Sequence, residues 1–332
     1  MTRIALNGFG RIGRYMLRLM ADDKNEQIVA INARADNKSL AHLFKYDSVH
    51  GRFNGEVGVY DDGIVVNGRQ IKVTREKPGE WKWKELDIDL VVDNTGKVTD
   101  RAGLAQHLAC GAKKVILSAP GKDADVTIVM GVNQDDYNPA KHDVISAASC
   151  TTNCLAPAAK VLQDNFGIKR GLMTTIHSYT MDQRLQDGSH KDLRRARAAA
   201  VSMVPTTTGA AKAIGLVIPE LKGKLDGFAV RVPTPNVSMV DLTCELGKST
   251  SAAEVNALMK NAAEGFLKGS LGYCDEPLVS CDFNGSTYGG VVDSLLTAVM
   301  DGSMLKIIVW YDNEAGFTNQ LVRLCRLISS KL

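Results

Sequence analysis

Long apolar runs are missing from this sequence: no stretch reaches the roughly 18 residues that a membrane-spanning helix needs. A surplus of one charge is missing too, with 40 Lys and Arg against 37 Asp and Glu and a net charge of +3. That balance gives no reason to expect a nucleic acid or a membrane as partner. The 7 cysteines (Cys110, Cys150, Cys154, Cys244, Cys274, Cys281, Cys325) are odd in number and lack any framework spacing, which argues against a disulfide scaffold. No Cys/His spacing matches a zinc site, so no metal is expected. Met1-Thr2-Arg3-Ile4 runs straight into an apolar strand without the charged, apolar and small series of a signal peptide, and the expectation is a cytoplasmic protein. The chain also has no internal repeat and no low-complexity linker.

What is present is an ordinary globular composition, 45% apolar and 23% charged over 332 residues. One core rarely grows past roughly 250–300 residues, so two domains are expected. In the first half, apolar strands at 3–7, 27–33, 90–93, 115–118 and 143–147 alternate with helical segments, which predicts a parallel sheet with helices on both faces. After about Ser149 the strand-like runs lengthen (172–178, 228–232, 237–246, 306–311). Helical segments separate them near 154–163, 208–218 and 252–265, a pattern that predicts an α+β domain on a mostly antiparallel sheet.

Gly8-Phe9-Gly10-Arg11-Ile12-Gly13 is a G-x-G-x-x-G. The pattern alone is weak, but here it follows a strand and opens a helix, the context of a Rossmann-type dinucleotide-binding domain. Glycines allow a tight turn and close approach of a pyrophosphate, and the helix N-terminus offers N–H donors. An NAD site then usually places Asp or Glu about 20 residues on, at the end of the second strand, to bind the ribose 2′-hydroxyl. This chain reads Ile31-Asn32-Ala33-Arg34-Ala35-Asp36, with no carboxylate at that point and Arg34 beside the gap. A guanidinium pairs with a 2′-phosphate, so NADP, or use of both cofactors, is expected. The competing reading has Asp36, slightly late, bind the ribose while Arg34 is solvated.

Ser149-Cys150-Thr151-Thr152-Asn153-Cys154 follows an apolar strand and opens a helix. A cysteine there sits at the positive end of the helix dipole, which favours thiolate. Against this, most free cysteines are buried structural groups, and Cys154, one turn on, is expected to be one. Of the 6 histidines, only His177 lies in an alternating strand pattern with polar neighbours, Thr174-Thr175-Ile176-His177-Ser178-Tyr179-Thr180. A Cys/His pair brought together from separate elements is a standard way to activate a nucleophile, although a lone histidine is more often ordinary surface or core. These readings give a dinucleotide-binding domain at 1–149 and a catalytic domain at 150–314, with a C-terminal helix at 315–332 packing back on the first. The basic run 191–197, the hydroxyl-rich turn Thr206-Thr207-Thr208-Gly209-Ala210 and Arg231 are candidate anion sites, each equally readable as a solvated face or helix cap.

Together these segments resemble the phosphorylating glyceraldehyde-3-phosphate dehydrogenase family along essentially the whole chain. The markers are 7–14, Lys45-Tyr46-Asp47-Ser48-Val49-His50-Gly51, 148–157, 174–180, Arg231-Val232-Pro233-Thr234-Pro235-Asn236-Val237-Ser238 and Trp310-Tyr311-Asp312-Asn313-Glu314. The resemblance implies that Cys150 attacks the aldehyde, that His177 takes the thiol proton, and that inorganic phosphate cleaves the resulting thioester. It implies anion contacts by Ser149, Thr151, Thr180, Arg195, Thr208, Gly209 and Arg231. It also implies cofactor contacts by Gly8, Gly10, Arg11, Ile12, Gly13, Ser118 and Asn313, the last at the nicotinamide amide. A homotetramer, a loop at 182–197 that approaches a neighbour's cofactor, and a place in glycolysis or gluconeogenesis follow from the same likeness.

Two departures bear on the cofactor. NAD-specific members similar to this one carry Asp where Ala33 stands, and often Leu-Pro or Gly-Pro where Gly188-Ser189 stands. Both changes agree with Arg34, and with Ser189, serving NADP. The family's Glu-Arg-Asp-Pro appears here as Arg75-Glu76-Lys77-Pro78. The alternatives are an erythrose-4-phosphate dehydrogenase, which ends in hydrolysis, and a non-catalytic binding protein of the same fold. The intact 174–180 strand and 206–210 turn favour the glyceraldehyde enzyme over the first, and the presence of both Cys150 and His177 argues against the second.

Overall fold

The computed structural model describes residues 1–332. The chain forms two compact units: Met1–Ile128, Gln134–Ala148 and Leu321–Leu332 in the first, Val129–Asn133 and Ser149–Gln320 in the second. The division falls just before Ser149, because Ser149 caps the helix that follows, and it cuts the C-terminal helix after Gln320.

The first unit is built on β1 (Thr2–Asn7), β2 (Glu26–Asn32), β3 (Val57–Tyr60), β4 (Gly63–Val66), β5 (Arg69–Thr74), β6 (Leu90–Asp93), β7 (Lys114–Leu117), β8 (Val126–Thr127) and β9 (Val144–Ser146). They form one sheet in the order β3-β4-β5-β2-β1-β6-β7-β9-β8. From β5 to β8 every pairing is parallel. The central strands are buried on both faces, which is why Ile4-Ala5-Leu6, Leu90-Val91-Val92 and Val115-Ile116-Leu117 read as unbroken apolar runs. The antiparallel β3–β5 meander on one edge turns at Asn67-Gly68, both residues at positive φ, as a two-residue hairpin requires. Helices α1 (Arg11–Met20), α2 (Asn37–Lys45) and α3 (Arg101–Ala109) connect the strands. Asp36 and Asp100 cap α2 and α3, accepting from Ser39 N and Gly103 N at 2.9 Å.

The second unit holds α4 (Cys150–Phe166), β10 (Ile168–Ser178), β11 (Val204–Thr207), α5 (Ala210–Val217), β12 (Leu225–Val232), β13 (Ser238–Leu246), α6 (Ala252–Glu264), β14 (Leu271–Cys274), β15 (Gly290–Met300) and β16 (Met304–Tyr311), with α7 (Ala315–Ser329) beginning in it. Its sheet runs β11-β12-β10-β13-β16-β15-β14 and is antiparallel except at β12/β10 and β15/β14. β13 alternates strictly between buried and half-buried residues, the signature of a sheet with one covered face. α4 is buried nearly all round from Thr151 to Leu162. Backbone approaches it closely at Gly290, where a Cβ would sit 2.9 Å from the Cys154 carbonyl oxygen. Cys154 is thereby packed, as expected of it. No helix is long and apolar enough to cross a membrane, and all 7 cysteines are free.

Candidate active site

Helix α4 begins at Cys150 because Ser149 caps it: the Ser149 hydroxyl accepts from Thr152 N at 3.0 Å and pairs with the Thr152 hydroxyl at 2.7 Å. Ala148, just before the cap, is held at φ +58, a conformation that L-residues avoid. β10 delivers His177 one residue from its end. The Cys150 sulfur lies 3.5 Å from His177 Nε2. His177 Nδ1 lies 2.7 Å from the Ser178 carbonyl oxygen. Arg231 Nη1 also lies 3.0 Å from Nδ1 and 3.1 Å from that carbonyl, which can only accept; the shorter imidazole contact assigns the proton to Nδ1, with Nε2 presenting a lone pair to the sulfur. The parallel register of β10 and β12 sets Arg231 beside His177. Arg231 donates to the Ser178 carbonyl at 3.1 Å and to the Thr180 hydroxyl at 3.2 Å, while its Nε is buried without a partner.

Burial pushes the Cys150 thiol up, and the Arg231 charge and the Thr151 hydroxyl and N–H oppose this. Burial, then Arg231, pushes His177 down to about 3. At Cys150 desolvation therefore opposes the helix dipole and the Arg231 charge, which favour the thiolate.

The other expected anion contacts have varied surroundings. Thr151 is buried, with its hydroxyl 2.9 Å from that of Tyr311. Arg195 is tied to Asp182 and donates to the Thr206 hydroxyl at 2.9 Å and the Thr207 carbonyl at 3.2 Å, yet its charge still acts on His177 and Arg231. Thr208 accepts from Ala210 N at 3.2 Å. Gly209 starts α5 with no side-chain cap and nothing within 4 Å of where a Cβ would be. Asn313 is buried, and its amide oxygen accepts from the Ser178 and Ser238 hydroxyls at 2.8 and 2.9 Å, which turns its NH2 group away from them. Ser189 is exposed, and its carbonyl is held by Arg184 at 2.8–3.0 Å.

In the first unit the glycines divide their labour. Gly8 adopts φ +95, and a Cβ on Gly13 would sit 2.6 Å from the Gly8 carbonyl oxygen. Gly10 has nothing within 4 Å of its Cβ position, and no side chain caps α1 there. Open space at an uncapped helix N-terminus fits a dinucleotide phosphate. Ile12 follows within the first turn of α1. Arg11 pairs with Asp47 at 2.5 and 3.0 Å. Burial alone would raise Asp47, but Arg11 and the His50 and Val49 N–H groups hold it at about 2. The Ser118 hydroxyl donates to the Asp93 carbonyl at 3.0 Å.

The chain belongs to the glyceraldehyde-3-phosphate dehydrogenase family. Residues 2–101 match the model of its NAD binding domain, and residues 149–313 match that of its C-terminal domain. The chain is 58% identical over 331 residues to the glyceraldehyde-3-phosphate dehydrogenase of Geobacillus stearothermophilus, covering 99% of each chain. It is 57% identical to glyceraldehyde-3-phosphate dehydrogenase 1 of Bacillus subtilis (strain 168), and 54% identical to the enzyme of Streptomyces coelicolor, again covering 99% of each.

Arg34 and Asp36, the two candidates for the ribose end of the cofactor, differ in their contacts. Asp36 has both oxygens engaged by Ser39, at 2.9 Å by the main-chain N–H and 2.6 Å by the hydroxyl. Arg34 is exposed and makes no hydrogen bond or ion pair. Residue-by-residue reading passes over the buried hydroxyls of Ser178, Ser238 and Tyr311. Only the period of two along β10, which sets Thr175 and His177 on one face, hints at Tyr311's neighbourhood.

Proposed function

We propose that this chain oxidises D-glyceraldehyde 3-phosphate to 1,3-bisphosphoglycerate through a thioester on Cys150, with NADP, or both NADP and NAD, as acceptor. The 3.5 Å approach of the Cys150 sulfur to an imidazole nitrogen free to accept a proton carries this reading. His177 Nε2 takes the thiol proton as sulfur attacks the aldehyde carbon and returns it to the aldehyde oxygen, giving a hemithioacetal. A bound nicotinamide dinucleotide would supply the hydride acceptor, and His177 Nε2 takes the hydroxyl proton as the hemithioacetal is oxidised to the thioester. Inorganic phosphate then attacks the thioester carbonyl, the C–S bond breaks, and the acyl phosphate leaves Cys150 free.

Arg231, with its unpartnered Nε, together with Thr180 and Arg195, supplies cationic and hydroxyl contacts for the substrate phosphate. Ser149, Thr151, Thr208 and Gly209 receive the attacking phosphate. Gly8, Gly10, Arg11, Ile12, Gly13 and Ser118 hold the dinucleotide, and the Asn313 NH2 group meets the carboxamide. Arg34 pairs with the 2′-phosphate of NADP, and Ser189 serves the same group from a neighbouring copy. Met181, Leu185, Leu193, Val201 and Met203, each at least 75% exposed along one segment, favour a homotetramer that covers them. Seven free cysteines suit the reducing cytoplasm. Turnover measured with and without inorganic phosphate, and with NAD and NADP side by side, tests the assignment. Activity that does not need phosphate would instead favour the hydrolytic erythrose-4-phosphate enzyme.

A further inference from the structure

We propose that Tyr311 is a positioning residue for the Cys150–His177 pair: its hydroxyl ties Thr151, next to the nucleophile, to Thr175, two residues before the base. This rests on the reading of Cys150 and His177 as the reacting groups.

Tyr311 ends β16 and is fully buried. A buried phenol hydroxyl is costly unless it is hydrogen-bonded. This one has two partners, the Thr151 hydroxyl at 2.9 Å and the Thr175 hydroxyl at 2.8 Å. The direction of the chain follows by elimination. Thr175 donates to the Met239 carbonyl at 3.2 Å, which uses its single proton, so it accepts from Tyr311. Tyr311 has then used its own proton and accepts from Thr151. The chain thus runs one way, from the first turn of α4 through Tyr311 to β10 and the carbonyl of β13.

Geometry makes this chain a strut. Thr175 and His177 point to the same face of β10, because side chains repeat every two residues along a strand. The Tyr311 ring meets the imidazole edge-on, with centroids 5.9 Å apart and planes at 79°. One side chain therefore fixes the helix start that carries the sulfur, the strand that carries the base, and the tilt of the base itself. Tyr311 also competes with the Cys150 sulfur for the single Thr151 hydroxyl proton.

The test is the pH profile of iodoacetamide alkylation at Cys150, read by mass spectrometry on the full-length chain. Tyr311→Phe keeps the ring and removes the hydroxyl. It is expected to alkylate about tenfold more slowly at neutral pH, the scale of one lost buried hydrogen bond. Thr175→Val removes the acceptor and is expected to match it, Thr175→Ser to restore the profile that Thr175→Val loses, and the double variant to be no slower than either single one. If Tyr311→Phe does not fold, Thr175→Val carries the same test. A wild-type profile in the folded variants, even with a lowered melting temperature, overturns the strut and leaves a merely structural tyrosine. Unchanged alkylation in His177→Asn would instead overturn the pair itself, and with it the reading on which this inference rests.

Discussion

The ring nitrogen Nδ1 of His177 sits 2.7 Å from the carbonyl oxygen of its own neighbour, Ser178. Arg231 Nη1 is 3.0 Å from the same nitrogen and donates to the same carbonyl, and the shorter imidazole contact assigns the proton to Nδ1. That contact commits one nitrogen to the backbone and leaves the other to face the Cys150 sulfur. Replacing His177 with Asn removes the proton acceptor while leaving the thiol in place. The expected result is a fall in kcat of about a hundredfold to ten-thousandfold, the range for a general base, with the KM for the aldehyde little changed. Steady-state kinetics check this.

Arg231 acts on both members of the pair. Its charge lowers the thiol and lowers the imidazole. Arg231→Leu is expected to move the onset of Cys150 alkylation to higher pH and to raise the KM for the phosphorylated aldehyde. A substrate without phosphate should show the first effect and little of the second.

Arg34 is exposed and makes no hydrogen bond or ion pair. Arg34→Ala is therefore expected to cost little stability and to weaken NADP selectively, by about 1–3 kcal/mol, the scale of a charge-assisted hydrogen bond. Binding of 2′,5′-ADP against 5′-ADP, followed by calorimetry, isolates the effect. Equal losses for the two ligands would remove the assignment.

Acid stability carries the mark of the buried imidazole. His177 stays neutral in the fold down to about pH 3 but protonates near its ordinary 6.5 once unfolded. Between these values the unfolded state binds the extra proton, so stability falls as the pH falls, by about 1.4 kcal/mol per pH unit for one proton. His177→Asn should flatten that part of the curve. Denaturant melts at a series of pH values read the difference in slope.

Local signals carried the first unit far. Continuous apolar runs bounded by helix starts are what a doubly covered parallel sheet demands, and Gly8, Gly10 and Gly13 differ in role as a phosphate turn requires. The β3–β5 edge meander breaks that alternation, although Asn67-Gly68 between two apolar runs is a hairpin signal. In the second unit Cys150 and His177 stand out by position, but their protonation does not. Desolvation depends on what packs around the sulfur, and those groups come from β12 and β16, far along the chain. The same holds for Tyr311, Ser178 and Ser238, whose hydroxyl partners lie 60 to 160 residues away. The capping role of Asp36 was readable from the Ser39 that follows it by three.

The account stands or falls on the covalent step. Mixing the protein with D-glyceraldehyde 3-phosphate and oxidised cofactor in the absence of phosphate should give a burst of reduced cofactor stoichiometric with the chain. Intact-mass and peptide analysis should then place an acyl adduct on Cys150, and adding phosphate should discharge it. A Cys150→Ala variant that still turns over, or an acyl group found on any other residue, would contradict it.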